Sequence, residues 1–291
     1  MSLISVPGIY KISHEEYHGK NLCPKPALSR STIHDLLFKS PAHARYNNID
    51  LNPAYKKDND RSFDLGKAGH EILLEGGENI QVIEAQDWRK KDTQEAREIA
   101  LKEGKTPLLT KQYQQAVDMV SVAEKAIREC KELGITNLRS DGDAELSYIW
   151  QEGETWLRVR PDWISKDRKL ILDYKTTDAS ANPSDWTRMA VNMGYDIQTA
   201  LYLRGVDALE KSTPKFVFLV QETDEPYLCS FIGLSPEFLE MGKSKVDYGI
   251  FLWRQCMDKD DWPGYPDKVC WINPPAWSLA SWEARAAEIG V

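Results

Sequence analysis

Residues 144–175 read AELSYIWQEGETWLRVRPDWISKDRKLILDYK, and how this stretch divides into strands and turns decides the fold. Three apolar runs, 144–150, 155–164 and 169–175, are separated by the polar turns QEGE and SKDR. In the middle run Trp156, Arg158 and Arg160 alternate with Leu157 and Val159, the period of a strand. Short strands joined by tight polar turns predict an antiparallel meander. Downstream, residues of about 185–209 carry a helical pattern with Gly194 as an internal weak point. KFVFLVQE at 215–222 is apolar enough for a central strand, and YLCSFIG at 227–233 pairs with it across TDEP. Ser235-Pro236 then opens a helix to about Met257, Ser suiting the N-cap and Pro the first turn. The Trp- and Pro-rich residues 261–291 read as an extended tail over the body.

Upstream the character is helical. In LSRSTIHDLLFKSPAHARY, Ser29 or Ser31 suits an N-cap, Ile33, Leu36 and Leu37 form an apolar stripe, and Pro41 limits the helix. NNIDLNPAYKKDNDR reads as a loop. A second helix is expected over 62–75, stopped by Gly76-Gly77. A third runs from Thr110 as cap to Gly134, with Val117, Val120, Ala123 and Ile127 at helical spacing; the pattern over 80–109 is weak. The expected organisation is one domain over 1–291. It has a mostly helical portion (1–140), a core with the strands (141–260) and the tail. This is an α/β (α+β) chain with a central mixed sheet flanked by helices.

Asp173 and Lys175 are two apart on a strand and so share a face. Asp162 lies near the end of the neighbouring strand, and Glu145 opens the strand before. Three carboxylates and one lysine therefore gather at one sheet edge. Carboxylates so crowded repel one another unless a cation sits among them, and hard oxygen donors suit Mg²⁺, with Mn²⁺ as a substitute. Such a site serves phosphodiester hydrolysis. An isolated Asp-x-Lys is usually a solvated surface pair; the Pro-Asp eleven residues upstream is what lifts this one above that reading. Arg158 and Arg160, on the strand face of Asp162, would neutralise the carboxylates, touch phosphate, or simply be exposed.

Pro161-Asp162…Asp173-Tyr174-Lys175, continued by Thr176-Thr177, resembles the PD-(D/E)-x-K nuclease motif. Gln198 and Tyr202 resemble the Q-x-x-x-Y pair of the RecB-type branch. Gly66-Lys67-Ala68-Gly69-His70 resembles its G-x-x-x-H segment, although a lone His beside Leu73 and Leu74 is otherwise an ordinary buried side chain. The match is nearest to the RecE (exonuclease VIII)-like, phage-encoded nucleases and extends over roughly 28–260. The resemblance implies a restriction-endonuclease-like core and a Mg²⁺-dependent exodeoxyribonuclease on linear double-stranded DNA, working 5′ to 3′ to leave 3′ tails for recombination. It implies that Asp162, Asp173, His70, the Tyr174 carbonyl and Glu145 hold metal. Lys175 would position and activate water, and Gln198 and Tyr202 would orient DNA, with Arg158 and Arg160 as further contacts. A homo-oligomeric ring and a RecT-like single-strand annealing partner are also implied. A structure- or site-specific endonuclease on the same core, or an inactive DNA-binding relative, is the alternative.

Composition is consistent with this. The 291 residues are 42% apolar and include ten Trp and twelve Tyr, which predicts a folded chain. No apolar run reaches the length of a membrane span, and the first residues lack the layout of a signal peptide. A net charge of −8 argues against a general nucleic-acid coat protein, so DNA would be met by a local channel. Five Cys, odd in number and without a C-x-x-C pair, read as reduced thiols in a cytoplasmic protein. The spacing of Cys229, Cys256 and Cys270 lacks the close pair of iron–sulfur sites, so no such cluster is expected.

Overall fold

The strands of 144–175 do not form one meander; they divide between two sheets. In the computed structural model, which describes residues 3–55 and 65–290, the chain opens with β1 (Gly8–Tyr10), α1 (His14–Tyr17), α2 (Arg30–Phe38), α3 (Pro41–Tyr46) and α4 (Leu65–Glu75). Next come β2 (Ile80–Ile83), α5 (Lys91–Lys102), β3 (Thr106–Leu109), α6 (Thr110–Glu129) and α7 (Leu138–Asp141). The strands β4 (Gly142–Ala144), β5 (Ser147–Glu152), β6 (Thr155–Val159), β7 (Trp163–Ser165) and β8 (Leu170–Thr177) follow. The chain closes with α8 (Pro183–Asn192), α9 (Tyr195–Glu210), β9 (Lys215–Glu222), β10 (Cys229–Ile232), α10 (Pro236–Lys259) and α11 (Ala276–Ile289).

The main sheet has the order β10-β9-β8-β7-β4; β8 and β9 are parallel and the other pairs antiparallel. A second sheet, β1-β5-β6, is wholly antiparallel. The β5–β6 hairpin and the β4–β7 pair are one ribbon interrupted in the middle. Ala144 lies opposite Trp163 and Tyr148 opposite Val159, so the register is unchanged across the break and Glu145 faces Asp162. The cause is local. Pro161 has no amide hydrogen for the ladder and disfavours helical backbone at Arg160, while Glu145 sits at φ +58°, outside the strand region. One hydrogen bond, Glu145 N–H to the Asp162 carbonyl at 3.1 Å, spans the kink.

Helices cover both faces of the main sheet. Leu170, Leu172 and Tyr174 pack with Leu219 against Leu73 and Leu74 of α4 and Val120, Ala123 and Ile127 of α6. Ile171, Phe218 and Val220 face Trp186 of α8 and Ile197 and Leu201 of α9. Burial of such side chains contributes about 1.5–3 kcal/mol each. Gly69 allows α4 to lie this close, since a Cβ there would run into the Met119 side chain and stand 3.4 Å from the Tyr174 hydroxyl.

Several expectations are refined. Ser29 caps α2, and Pro41, expected only to limit that helix, together with Ser40 opens a further helix, α3. The start of the 62–75 helix, residues 62–64, and the end of the polar loop, 56–61, lie outside the described residues. Thr110 is the first residue of α6; Leu109 is its cap. The 185–209 helix is two helices, parted at Gly194, whose φ of +62° suits glycine. The region 80–109, which has a weak pattern, is a β2-α5-β3 unit with parallel strands, so the helical portion also holds strands. The tail is extended only to residue 275. AWSLASWEARAAEI is rich in Ala, the strongest helix former, and forms α11 after Pro275, with no buried residue. No helix among the described residues is long and apolar enough to cross a membrane.

Candidate active site

The kink between the two sheets is where the titratable groups converge. Continuing the β7–β8 register one residue beyond Trp163–Leu172 sets Asp162 opposite Asp173, so Glu145 and Asp162 at the kink lie at one level with Asp173 of β8. The Tyr174 N–H donates to Asp162 Oδ2 at 2.8 Å. From α4, His70 Nε2 stands 3.3 Å from Asp162 Oδ2 and 3.6 Å from Glu145 Oε1, its ring stacked on Tyr174 at 6.2 Å. Among the described residues, His70, Glu145 and Asp162 offer ligand atoms all within 4.8 Å of one another.

Asp173 is arranged differently. It is fully buried, ion-paired to Lys175, and its Oδ2 accepts from Gln198 Nε2 at 2.6 Å. Lys175 Nζ also lies 5.6 Å from the centre of the Tyr195 ring. Tyr174, in the alternate direction, donates a hydrogen bond from its hydroxyl to Gln221 Oε1 at 2.5 Å in the α4–α6 layer.

Protonation follows from this crowding. Burial alone would push His70 down, but Asp162, and then Glu145, outweigh it and hold the imidazole up to about 9. Burial and the neighbouring Asp162 push Glu145 up to about 7. The same two causes push Asp173 up to about 6, against the opposing pull of Lys175. Asp162 is also penalised by burial, yet His70 and Lys175 bring it below the usual carboxylate range. Burial disfavours the Lys175 ammonium, but Asp173 and Asp162 raise its pKa overall, so it is charged at neutral pH.

The donor set fits a divalent cation. Two carboxylates, of which Asp162 is close enough to raise the Glu145 pKa, converge with an imidazole on one point, and protonated His70 supplies positive charge there. Oxygen-rich ligation with one imidazole suits Mg²⁺ or Mn²⁺ better than a thiolate-seeking metal. Bound there, such a cation would polarise a phosphodiester oxygen and lower the pKa of a coordinated water.

The trio lies on the wall of a cleft of about 580 Å³, which Tyr202 lines as well, together with Ser29, Arg30 and Ser31 at the start of α2. Arg158 and Arg160 also reach this wall, but their guanidiniums are engaged within the chain. Arg158 donates to the Tyr17 carbonyl at 2.5 Å. Arg160 is ion-paired to Glu145 and donates to the Ile12 carbonyl at 3.1 Å. Of the arginine roles left open by the sequence, carboxylate neutralisation is the one this geometry supports for Arg160. Gln198 bonds Asp173, and Asp173 lies outside the trio. The sequence carries no local signal for Tyr17 or Tyr195, which become neighbours of the site only through the fold.

A mixed restriction-endonuclease-like sheet bearing Asp162, Asp173 and Lys175 in Pro-Asp…Asp-x-Lys order defines the PD-(D/E)-x-K nuclease class. The family model of the PDDEXK-like domain of unknown function (DUF3799) matches residues 29–273, and the chain belongs to that family. Among solved structures, a Eubacterium rectale protein assigned as an exonuclease shares the fold. It has a TM-score of 0.61 and 12% identity, covering 94% of this chain and 99% of its own. A second, SSO0001, reaches a TM-score of only 0.28 at 13% identity, over 65% of this chain and 87% of its own, and carries no argument. No curated protein matches the chain.

Proposed function

We propose that the chain is a Mg²⁺-dependent exodeoxyribonuclease that degrades linear double-stranded DNA from its ends. The observation that carries this reading is the convergence of His70, Glu145 and Asp162 beside the Asp173–Lys175 pair on one cleft wall.

His70, Glu145 and Asp162 would hold the metal, with the Tyr174 carbonyl and Asp173 adjacent. Lys175 remains an ammonium, so it donates a hydrogen bond to the attacking water and offsets charge on the phosphorane-like transition state; it does not take the water's proton. Asp173 and Gln198 keep the ammonium in place, and Tyr202 on the cleft wall meets the strand being cut. The attacking water gives up one proton to solvent as its oxygen bonds to phosphorus, the P–O bond to the next nucleotide breaks, the leaving oxygen takes up a proton from solvent, and no covalent enzyme intermediate is involved. The 5′ to 3′ polarity, the ring-shaped homo-oligomer, the recombination role and the single-strand annealing partner follow from the RecE-like resemblance of the motifs.

The test is cleavage of a linear duplex labelled separately at its 5′ and 3′ ends, with Mg²⁺ or EDTA, beside a closed circle and Asp162→Ala. Mg²⁺-dependent loss of the 5′ label first, with the circle intact and the variant inactive, supports the proposal. Cutting of the circle would make the chain an endonuclease on the same core. No cleavage with any divalent metal would leave an inactive relative.

A further inference from the structure

We propose that the N-terminal strap, residues 4–28, is a working part of the metal-binding site. It holds Arg160, and through Arg160 it fixes the Glu145 carboxylate facing His70 and Asp162. This rests on the metal-dependent nuclease reading above. The strap precedes the segment matched by the family, which begins at residue 29, so its role is not one that the family match assigns.

The strap is firmly attached. β1 extends the β5–β6 hairpin, Leu28 bridges to Leu157, and Ile4 N–H donates to the Leu22 carbonyl at 2.9 Å. Ile4, Tyr17, Leu22, Cys23 and Ala27 are buried against Ile149 and Trp156. Ser13 and Glu16 form a capping box around the single turn of α1, which sets the position of Tyr17.

From that anchorage the strap grips the two arginines of β6 and the kink. The Tyr17 ring lies 5.1 Å from the Arg158 guanidinium carbon and 5.7 Å from that of Arg160. The Tyr17 carbonyl accepts from Arg158, and the Ile12 carbonyl accepts from Arg160. The Arg160 side chain is only 9% exposed, and its remaining partner is Glu145. A buried guanidinium needs every acceptor it can reach, so the strap dictates where that fork points. Glu145 in turn sits at a positive φ uncommon for a residue with a side chain. The ion pair to Arg160 and the backbone bond to Asp162 hold its carboxylate toward His70. Tyr17 and Arg160 are thus positioning residues: they act on the metal through Glu145.

The test is calorimetric titration of Mn²⁺ into the full-length chain, paired with the Mg²⁺ half-saturation of cleavage. Arg160→Lys keeps the charge but cannot serve Glu145 and Ile12 with one planar fork. It and Tyr17→Leu are expected to weaken Mn²⁺ binding about 10–100-fold, while Tyr17→Phe, which keeps the ring, stays within about twofold. Ile250→Ala, in α10 and outside the strap, is the packing control: it lowers Tm and leaves the Mn²⁺ affinity unchanged. Tyr17→Leu and Arg160→Lys with wild-type Mn²⁺ affinity would overturn the proposal, as would an Ile250→Ala variant that loses affinity as much as they do. If the wild-type chain binds no Mn²⁺, the metal-site reading itself fails, and this proposal with it.

Discussion

At the scale of single residues, His70 occupies the charge position that a metal would take. Its pKa of about 9 means that at neutral pH a cation must displace a proton from it. Metal affinity should therefore rise with pH, by about tenfold per unit between about 7 and 9, more steeply below about 7 where Glu145 must also lose a proton, and level off above about 9. Titrations in buffers of different ionisation enthalpy check this by counting the proton released. Asp162→Asn should cost more than any other single ligand change, because that carboxylate faces His70 and also accepts from the Tyr174 amide. Calorimetry with Mn²⁺ would show the loss, and unaltered binding would remove Asp162 from the ligand set. Lys175→Ala should lower the cleavage rate by about 10²–10³-fold, the scale of one lost transition-state donor, while DNA binding measured in Ca²⁺ is retained. Loss of DNA binding in that variant would count against the role given to Lys175.

At the scale of elements, the site depends on how closely α4 rides over the sheet. Gly69→Val would drive a branched side chain into Met119 and toward the Tyr174 hydroxyl, an overpacking cost of about 1–3 kcal/mol. It should also move His70, so thermal unfolding and Mn²⁺ affinity are expected to fall together. The motif residues were legible in the sequence because strand periodicity and turn chemistry are local: Asp162, Asp173 and Lys175 fall where the pattern put them. The sheet assignment was not legible. Whether 155–164 is one strand or two depends on Pro161 and on the backbone of Glu145, which only the partner strand reveals. The β2-α5-β3 unit escaped because its strands are four residues long and its helix, KDTQEAREIALK, is nearly all polar. Arg160 looked like a phosphate contact because its partners, Ile12 and Tyr17, lie some 145 residues away in the chain.

At the scale of the whole molecule, a cation that binds only the folded chain must raise its stability. Mg²⁺ at 100 times its dissociation constant would add about 2.7 kcal/mol, a rise of several degrees in Tm that EDTA reverses. An unchanged Tm at saturating Mg²⁺ and Mn²⁺ would argue that the trio holds no metal. The tail should matter little to this balance, because α11 buries nothing. Truncation after Gly264 is expected to leave Tm and cleavage of a short duplex unchanged, a difference within about 0.5 kcal/mol. The same tail divides the ten indoles into distinct optical populations. Trp150, Trp156, Trp163, Trp186 and Trp253 are sealed in the body, at 3% exposure or less, while Trp271, Trp277 and Trp282 stand in solvent at 60% or more. The first group should emit at short wavelength and resist acrylamide; the second should emit at long wavelength and be quenched readily. Native fluorescence therefore offers a label-free gauge of two separate events, with the blue component reporting the integrity of the body and the red component reporting anything that touches the tail.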